Sequence, residues 1–170
     1  IEPFKTRKAG KLSGGMKQKL ALCCALIHRP KILFLDEPTT GVDPVSRKEF
    51  WGILKRLKHQ GITILVSTPY MDEAMLCDKI ALIQSGEILS TDTPDELIKA
   101  YPRTIYAAKS KNNYSLLKQL REDANVESCY IFGDCLHVTL KEDEGFKFSE
   151  GVEVEIMKPS VEDCFIRLMK

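Results

Sequence analysis

Ile32-Leu33-Phe34-Leu35-Asp36-Glu37-Pro38 is a continuous apolar run that stops at two adjacent carboxylates and a proline. Such a run, without polar alternation and bounded by breakers, reads as a short strand buried on both faces, as in a parallel sheet. In an open α/β sheet, ligands bind beyond the carboxyl ends of the strands. Two carboxylates placed there are costly unless a cation offsets their charge, and Mg²⁺ with a polyphosphate does so. Asp36 then suits holding the metal, commonly through water, and Glu37 suits orienting or activating an attacking water. A strand that ends in a solvated acidic turn has the same pattern, and the run alone does not separate the two readings.

Upstream, Leu12-Ser13-Gly14-Gly15-Met16 opens a helical pattern that reaches about His28 and stops before Pro30, with Leu20, Cys23, Cys24 and Ile27 on one side. Two glycines let backbone N–H groups approach a ligand with no Cβ in the way. At a helix N-terminus those unpaired N–H groups favour an anion, and the Ser13 hydroxyl can donate to a phosphate oxygen. An ordinary Ser-Gly helix cap has the same look. Downstream, Asp43-Pro44 starts a second helix, with Asp as N-cap and Pro at the first helical position. Phe50, Leu54 and Leu57 form its apolar stripe, and Gly61 ends it. Residues 62–67 are a second apolar strand, and Thr68-Pro69 is expected to begin a third helix.

Further on, strands over 79–84 and 87–90 form a hairpin across Ser85-Gly86, and Thr93-Pro94-Asp95-Glu96 opens a helix as a capping box. Strands alternating with helices to this point predict an α/β fold with a mostly parallel sheet. After Pro102 the texture changes. Strands over 104–108, 126–132, 135–140 and 152–157, with helices over 114–122 and 160–169, predict a small α+β appendage. The domains expected are therefore 1–101 and 102–170.

Leu12-Ser13-Gly14-Gly15, a helix, Ile32 to Pro38, then Gly41-Val42-Asp43 together resemble the ATP-binding-cassette (ABC) ATPase family, in its order and at its spacing. They are similar to its signature motif, Walker B motif and D-loop, across roughly residues 10–100. The stretch 36–46, DEPTTGVDPVS, and Tyr70-Met71-Asp72-Glu73-Ala74 look like the ATPase subunits of ABC-2 exporters of the multidrug or polysaccharide type. The resemblance implies a partial P-loop NTPase-like fold that binds and hydrolyses ATP with Mg²⁺. It implies two ATP-binding subunits paired head to tail, ATP between them, docked on a membrane permease at the cytoplasmic face of the cell membrane. Leu12, Ser13, Gly14 and Gly15 would then touch ATP held by a partner. Asp36 and Glu37 would serve ATP on their own subunit, as metal holder and catalytic carboxylate, and Asp43 would couple the two sites. The helix 161–169 also resembles the end of such subunits, or is a plain amphipathic packing element.

Three departures stand out. Met16 replaces the usual Gln, which leaves the Ser-Gly-Gly anion contact intact. Pro69 stands where the family usually has a histidine that senses the γ-phosphate, and His28 and His59 lie elsewhere. Proline has neither imidazole nor N–H, so slower hydrolysis or a switch rearranged onto Thr68 or Tyr70 is expected. No GxxxxGK(S/T) phosphate-binding loop occurs in the 170 residues; the first strand, that loop and the glutamine loop are expected upstream of Ile1. The apolar strands should accordingly show an exposed sheet edge.

Composition is that of a folded globular protein, 44% hydrophobic and 29% charged, and the net charge of +1 gives no electrostatic case for nucleic acid. That near-neutral balance weighs against a non-transport ABC ATPase of translation or DNA repair. An interaction module lending only its signature loop is the other alternative. The six cysteines show no CxxC metal spacing and read as reduced, mostly buried thiols. The isolated segment is expected to be inactive and to bind ATP weakly or not at all. Calorimetry at low salt checks this, and tight stoichiometric binding would contradict it.

Overall fold

The computed structural model describes residues 5–169. They divide into two compact units, one running to Leu76 and the other starting at Cys77. In the first, a 3₁₀ turn (Ala9–Lys11) precedes α1 (Gly14–Leu26), β1 (Ile32–Asp36), α2 (Pro44–His59), β2 (Thr63–Ser67) and the short α3 (Met71–Ala74). β1 and β2 are parallel neighbours, aligned from Ile32 opposite Thr63 to Asp36 opposite Ser67. The crossover is α2. Asp43 caps it by accepting from the Ser46 N–H at 2.9 Å, Pro44 sits in its first turn, and Gly61 leaves it in the left-handed region at φ 89°.

The core of this unit is Leu22, Leu33, Phe50 and Leu54, flanked by Leu35, Ile64 and Val66. It lies on one face of β1 and β2 only. The other face is bare, with Phe34 71% and Leu65 61% exposed, so β1 is not the doubly buried strand its sequence suggests. Among the described residues of this unit the helices α1 and α2 pack on one side, so alternate strand residues remain uncovered. α1 also turns a different side inward. Gly15, Leu22 and Leu26 face the core, while Cys23, Cys24 and Ile27 are exposed. α3 starts at Met71 with Tyr70 at its N-cap, so Thr68 and Pro69 precede the helix and do not begin it. The Thr68 hydroxyl donates to Glu73, and its oxygen accepts the Tyr70 N–H in the turn ahead of the helix.

The second unit begins with the hairpin β3 (Ile80–Gln84) and β4 (Glu87–Asp92), whose turn residues Ser85 and Gly86 both have positive φ, the geometry of a type I′ turn. α4 (Pro94–Lys99) follows, with Thr93 accepting from the Glu96 N–H at 3.2 Å. Then come β5 (Ile105–Lys109), α5 (Asn113–Glu122), β6 (Val126–Phe132), β7 (Cys135–Leu140), β8 (Glu153–Met157) and α6 (Val161–Leu168). The last four strands form an antiparallel sheet in the order β6-β7-β5-β8. Leu116, Leu117 and Leu120 of α5 pack on Ala108, Leu136 and Val138.

His137, alternating with Leu136 and Val138, points to the opposite side and meets α6. Its Nδ1 lies 2.6 Å from Oδ1 of Asp163, a carboxylate that also takes the Ser160 N–H at 2.6 Å and the Tyr130 hydroxyl. Burial alone would raise the Asp163 pKa. Hydrogen bonds from His137, Ser160 and Tyr130 outweigh it and bring the value to about 2.

The compact units do not follow the change of texture at 101/102. The Cys164 thiol lies 3.4 Å from the Leu97 carbonyl, and the Tyr101 hydroxyl 3.2 Å from that of Thr139, so α4 groups with the sheet that follows it. All six cysteines are free, but only Cys129 and Cys164 are buried, which corrects the expectation of mostly buried thiols. Burial raises the thiol pKa of both to about 11.

Candidate active site

Asp36 ends β1 and Glu37 follows it at φ 41°, a left-handed conformation that a residue with a Cβ adopts only when its surroundings hold it there. Ser67, opposite Asp36 at the end of β2, does the holding. The Glu37 N–H donates to the Ser67 carbonyl at 3.1 Å and to its hydroxyl oxygen at 2.9 Å, while that hydroxyl donates to Oδ1 of Asp36 at 2.5 Å. The Glu37 carboxylate accepts from the Thr40 hydroxyl at 3.0 Å, and the Thr40 N–H donates to the Glu37 carbonyl at 3.2 Å. Both acids are exposed. Carboxylate and hydroxyl oxygens are the donor set that a hard cation such as Mg²⁺ takes. No cluster of three His, Cys, Asp or Glu side chains occurs among the described residues, so Mg²⁺ would need further oxygens from phosphate or water.

Ser13 is the N-cap of α1, its hydroxyl oxygen accepting from the Met16 N–H at 3.4 Å, which leaves the hydroxyl hydrogen free to donate. Leu12 before it is buried. The two glycines have different reasons to be glycine. Gly14 is exposed, and a Cβ there would come within 3.2 Å of the Gly41 carbonyl. Gly15 is buried against the first turn of α2, where a Cβ would stand 2.5 Å from Ser46 Cβ and 2.7 Å from its hydroxyl. Two of the three motifs are thereby in contact. Asp43, exposed at the cap of α2, has its carboxyl held below the usual range, first by the Ser46 N–H and then by the Ser46 hydroxyl.

A family model described as ABC transporter matches residues 1–40. The probable multidrug ABC transporter ATP-binding protein YbhF of Escherichia coli is 39% identical over 99% of this chain, which covers 31% of that protein. The Nod factor export ATP-binding protein I of a Rhizobium species is 34% identical over 99% of this chain and 57% of that protein. Over almost its whole length the chain is thus similar to ATP-binding proteins of ABC transporters. Its fold agrees. The structure of cbiO1 from Clostridium perfringens, part of the ABC transporter complex cbiONQ, is 33% identical with a TM-score of 0.53, covering 59% of this chain and 41% of that one. The chain thus spans about a third of YbhF and just over half of the Nod factor protein.

Two residues of the first unit gain structural roles that their sequence context did not mark. One is Ser67, tied to both acids; its only sequence signal is its place at the end of the neighbouring strand. The other is Glu73 on α3, buried at 1% exposure. It accepts from the Thr39 hydroxyl at 2.7 Å and from the Thr68 hydroxyl at 2.6 Å, with Arg47 Nε 3.6 Å away. The Arg47 guanidinium also lies 4.0 Å from the centre of the Tyr70 ring. Pro69, between Thr68 and Tyr70, is exposed.

The packing at Gly15 yields a direct test. Gly15→Ala drives a Cβ into the backbone-anchored Cβ of Ser46 and is expected to destabilise the protein by about 1–3 kcal/mol, as overpacking does. Gly10→Ala, with nothing within 4 Å, serves as the control. Denaturant unfolding of both variants measures the difference, and equal midpoints would contradict the packing role.

Proposed function

We propose that this chain is the signature and Walker B portion of the ATP-hydrolysing subunit of an ABC exporter. The observation that carries the reading is the joint at the ends of β1 and β2, where Ser67 holds Asp36 and Glu37 side by side in a strained turn. Asp36, with the Ser67 hydroxyl beside it, is the group to hold Mg²⁺. When bound, Mg²⁺ neutralises charge on the β- and γ-phosphates. Glu37, fixed by its backbone and by Thr40, accepts a hydrogen bond from the attacking water and points its oxygen at the γ-phosphorus. Water adds there as the bond to the β-phosphate oxygen breaks, releasing ADP and phosphate.

Ser13 and the exposed N–H groups at the start of α1 serve a different nucleotide, one held by a second ATP-binding subunit. Leu12, buried beneath that loop, supports it. The backbone dipoles favour the anion, and the Ser13 hydroxyl donates to a phosphate oxygen. Asp43 sits between the two functions, on the cap against which Gly15 packs. A membrane permease subunit, and a place on the cytoplasmic face of the cell membrane, complete this reading. Among the described residues no helix is long and apolar enough to cross a membrane. Residues 102–170 form an accessory part with no catalytic cluster assigned to it.

The test uses a protein in which this segment is joined to a phosphate-binding loop. Glu37→Gln should lower kcat for ATP hydrolysis about 100-fold or more while ATP binding persists. Turnover equal to that of the parent would contradict the assignment of Glu37.

A further inference from the structure

The first unit buries one ionisable side chain among its described residues, Glu73, and the partners of that carboxylate come from two loops, the one after Glu37 and the one after Ser67. Thr39 lies two positions after Glu37. Its hydroxyl donates to Oε1 of Glu73 at 2.7 Å and to Oε2 at 3.0 Å, and its carbonyl accepts the Val42 N–H at 3.1 Å in the turn that leads to Asp43. Thr68 lies one position after Ser67. Its hydroxyl donates to Oε2 of Glu73 at 2.6 Å and accepts from the Tyr70 N–H at 3.1 Å. Arg47 of α2 adds its charge at 3.6 Å and covers the Tyr70 ring. Pro69 contributes no donor of its own, so the tie between these loops runs through the flanking hydroxyl and the carboxylate.

We propose that Glu73 is a positioning residue that couples the loop 37–43 to the loop 67–70, so that the placement of Glu37 and of Asp43 depends on one buried carboxylate. This rests on the ATPase reading above. The physical grounds are geometric. A buried carboxylate must be met by donors, and two of the donors here are hydroxyls on the two segments that frame the reacting groups. If one segment moves, a donor is lost, and the carboxylate no longer holds the other segment in register. An angstrom of misplacement at a reacting group costs about 100-fold in rate, so loosening both loops acts on kcat rather than on ATP binding.

The experiment again uses this segment joined to a phosphate-binding loop. Glu73→Ala is expected to lower kcat about 10-fold or more with KM for ATP changed less than about 3-fold, and Glu73→Gln, which keeps one acceptor oxygen, to recover part of the loss. Thr39→Val and Thr68→Val should each slow turnover, and their double variant should be slowed by less than the product of the two, because both act through one group. Hydrogen exchange supplies a readout independent of turnover. Amides in 37–43 and 67–70 should exchange faster together in Thr39→Val, and again together in Thr68→Val. A lowered melting temperature with kcat unchanged would overturn the proposal, as would exchange that rises only in the loop carrying the substitution. A parent protein that does not hydrolyse ATP but shows the joint change in exchange would sink the ATPase reading and leave the coupling standing.

Discussion

The close approach of α1 to the first turn of α2 at Gly15 is the constraint on which the rest of the N-terminal unit depends. With no Cβ at that position, Ser46 and Val42 come into contact with the backbone of α1. The approach decides which side of α1 faces inward, since Leu22 and Leu26 follow Gly15 at helical spacing and reach the sheet. It also places the Ser13 cap beside the loop that delivers Asp43. Lys19 of α1, paired with Glu49 of α2, holds the same two helices further along. A glycine read first as room for a ligand is therefore also room for a neighbouring helix, and the two roles belong to adjacent residues.

The second constraint is the in-register pairing of β1 and β2. Because Asp36 lies opposite Ser67, one hydroxyl and one carbonyl reach both the side chain of Asp36 and the N–H of Glu37. The positive φ at Glu37 would otherwise be disfavoured. These bonds stabilise it, and the turn that follows carries Thr39, Thr40 and Asp43 in quick succession. The acid pair is thus set by two strand ends and the signature loop by two helices. The two structures meet in the loop 37–43 and the first turn of α2, where Gly14 and Gly15 approach Gly41 and Ser46.

Most elements were legible in the sequence because their signals are local. Asp43-Pro44, Thr93-Pro94 and Ser85-Gly86 each set a boundary within one or two residues. The short apolar runs set β1 and β2. What was not legible depended on partners distant in the chain. The inward side of α1 could not be read from its own residues, because apolar Leu20, Cys23, Cys24 and Ile27 make as good a stripe as the one used. The bare face carrying Phe34 and Leu65 follows from where α1 and α2 pack, not from the strands. Glu73 looks like a surface acid on a short helix until Thr39, 34 positions away, is seen to donate to it. The start of α3 is displaced for a local reason: the Thr68 oxygen accepts the Tyr70 N–H two positions on, in a turn that precedes the helix, so the helix begins only at Met71.

The central claim is that the signature loop and the acid pair of one chain act on different nucleotides. Complementation between two inactive variants measures this directly, in a protein that joins this segment to a phosphate-binding loop. One variant carries Glu37→Gln and the other Ser13→Arg. In a head-to-tail pair formed from one of each, one site combines an intact Glu37 with the intact Ser13 of the other subunit, and its twin has neither. Mixing the two should restore roughly a quarter of parental ATP turnover, from random pairing of subunits. Turnover no higher than that of the separate variants would show that both groups act on the same nucleotide, and would contradict the account.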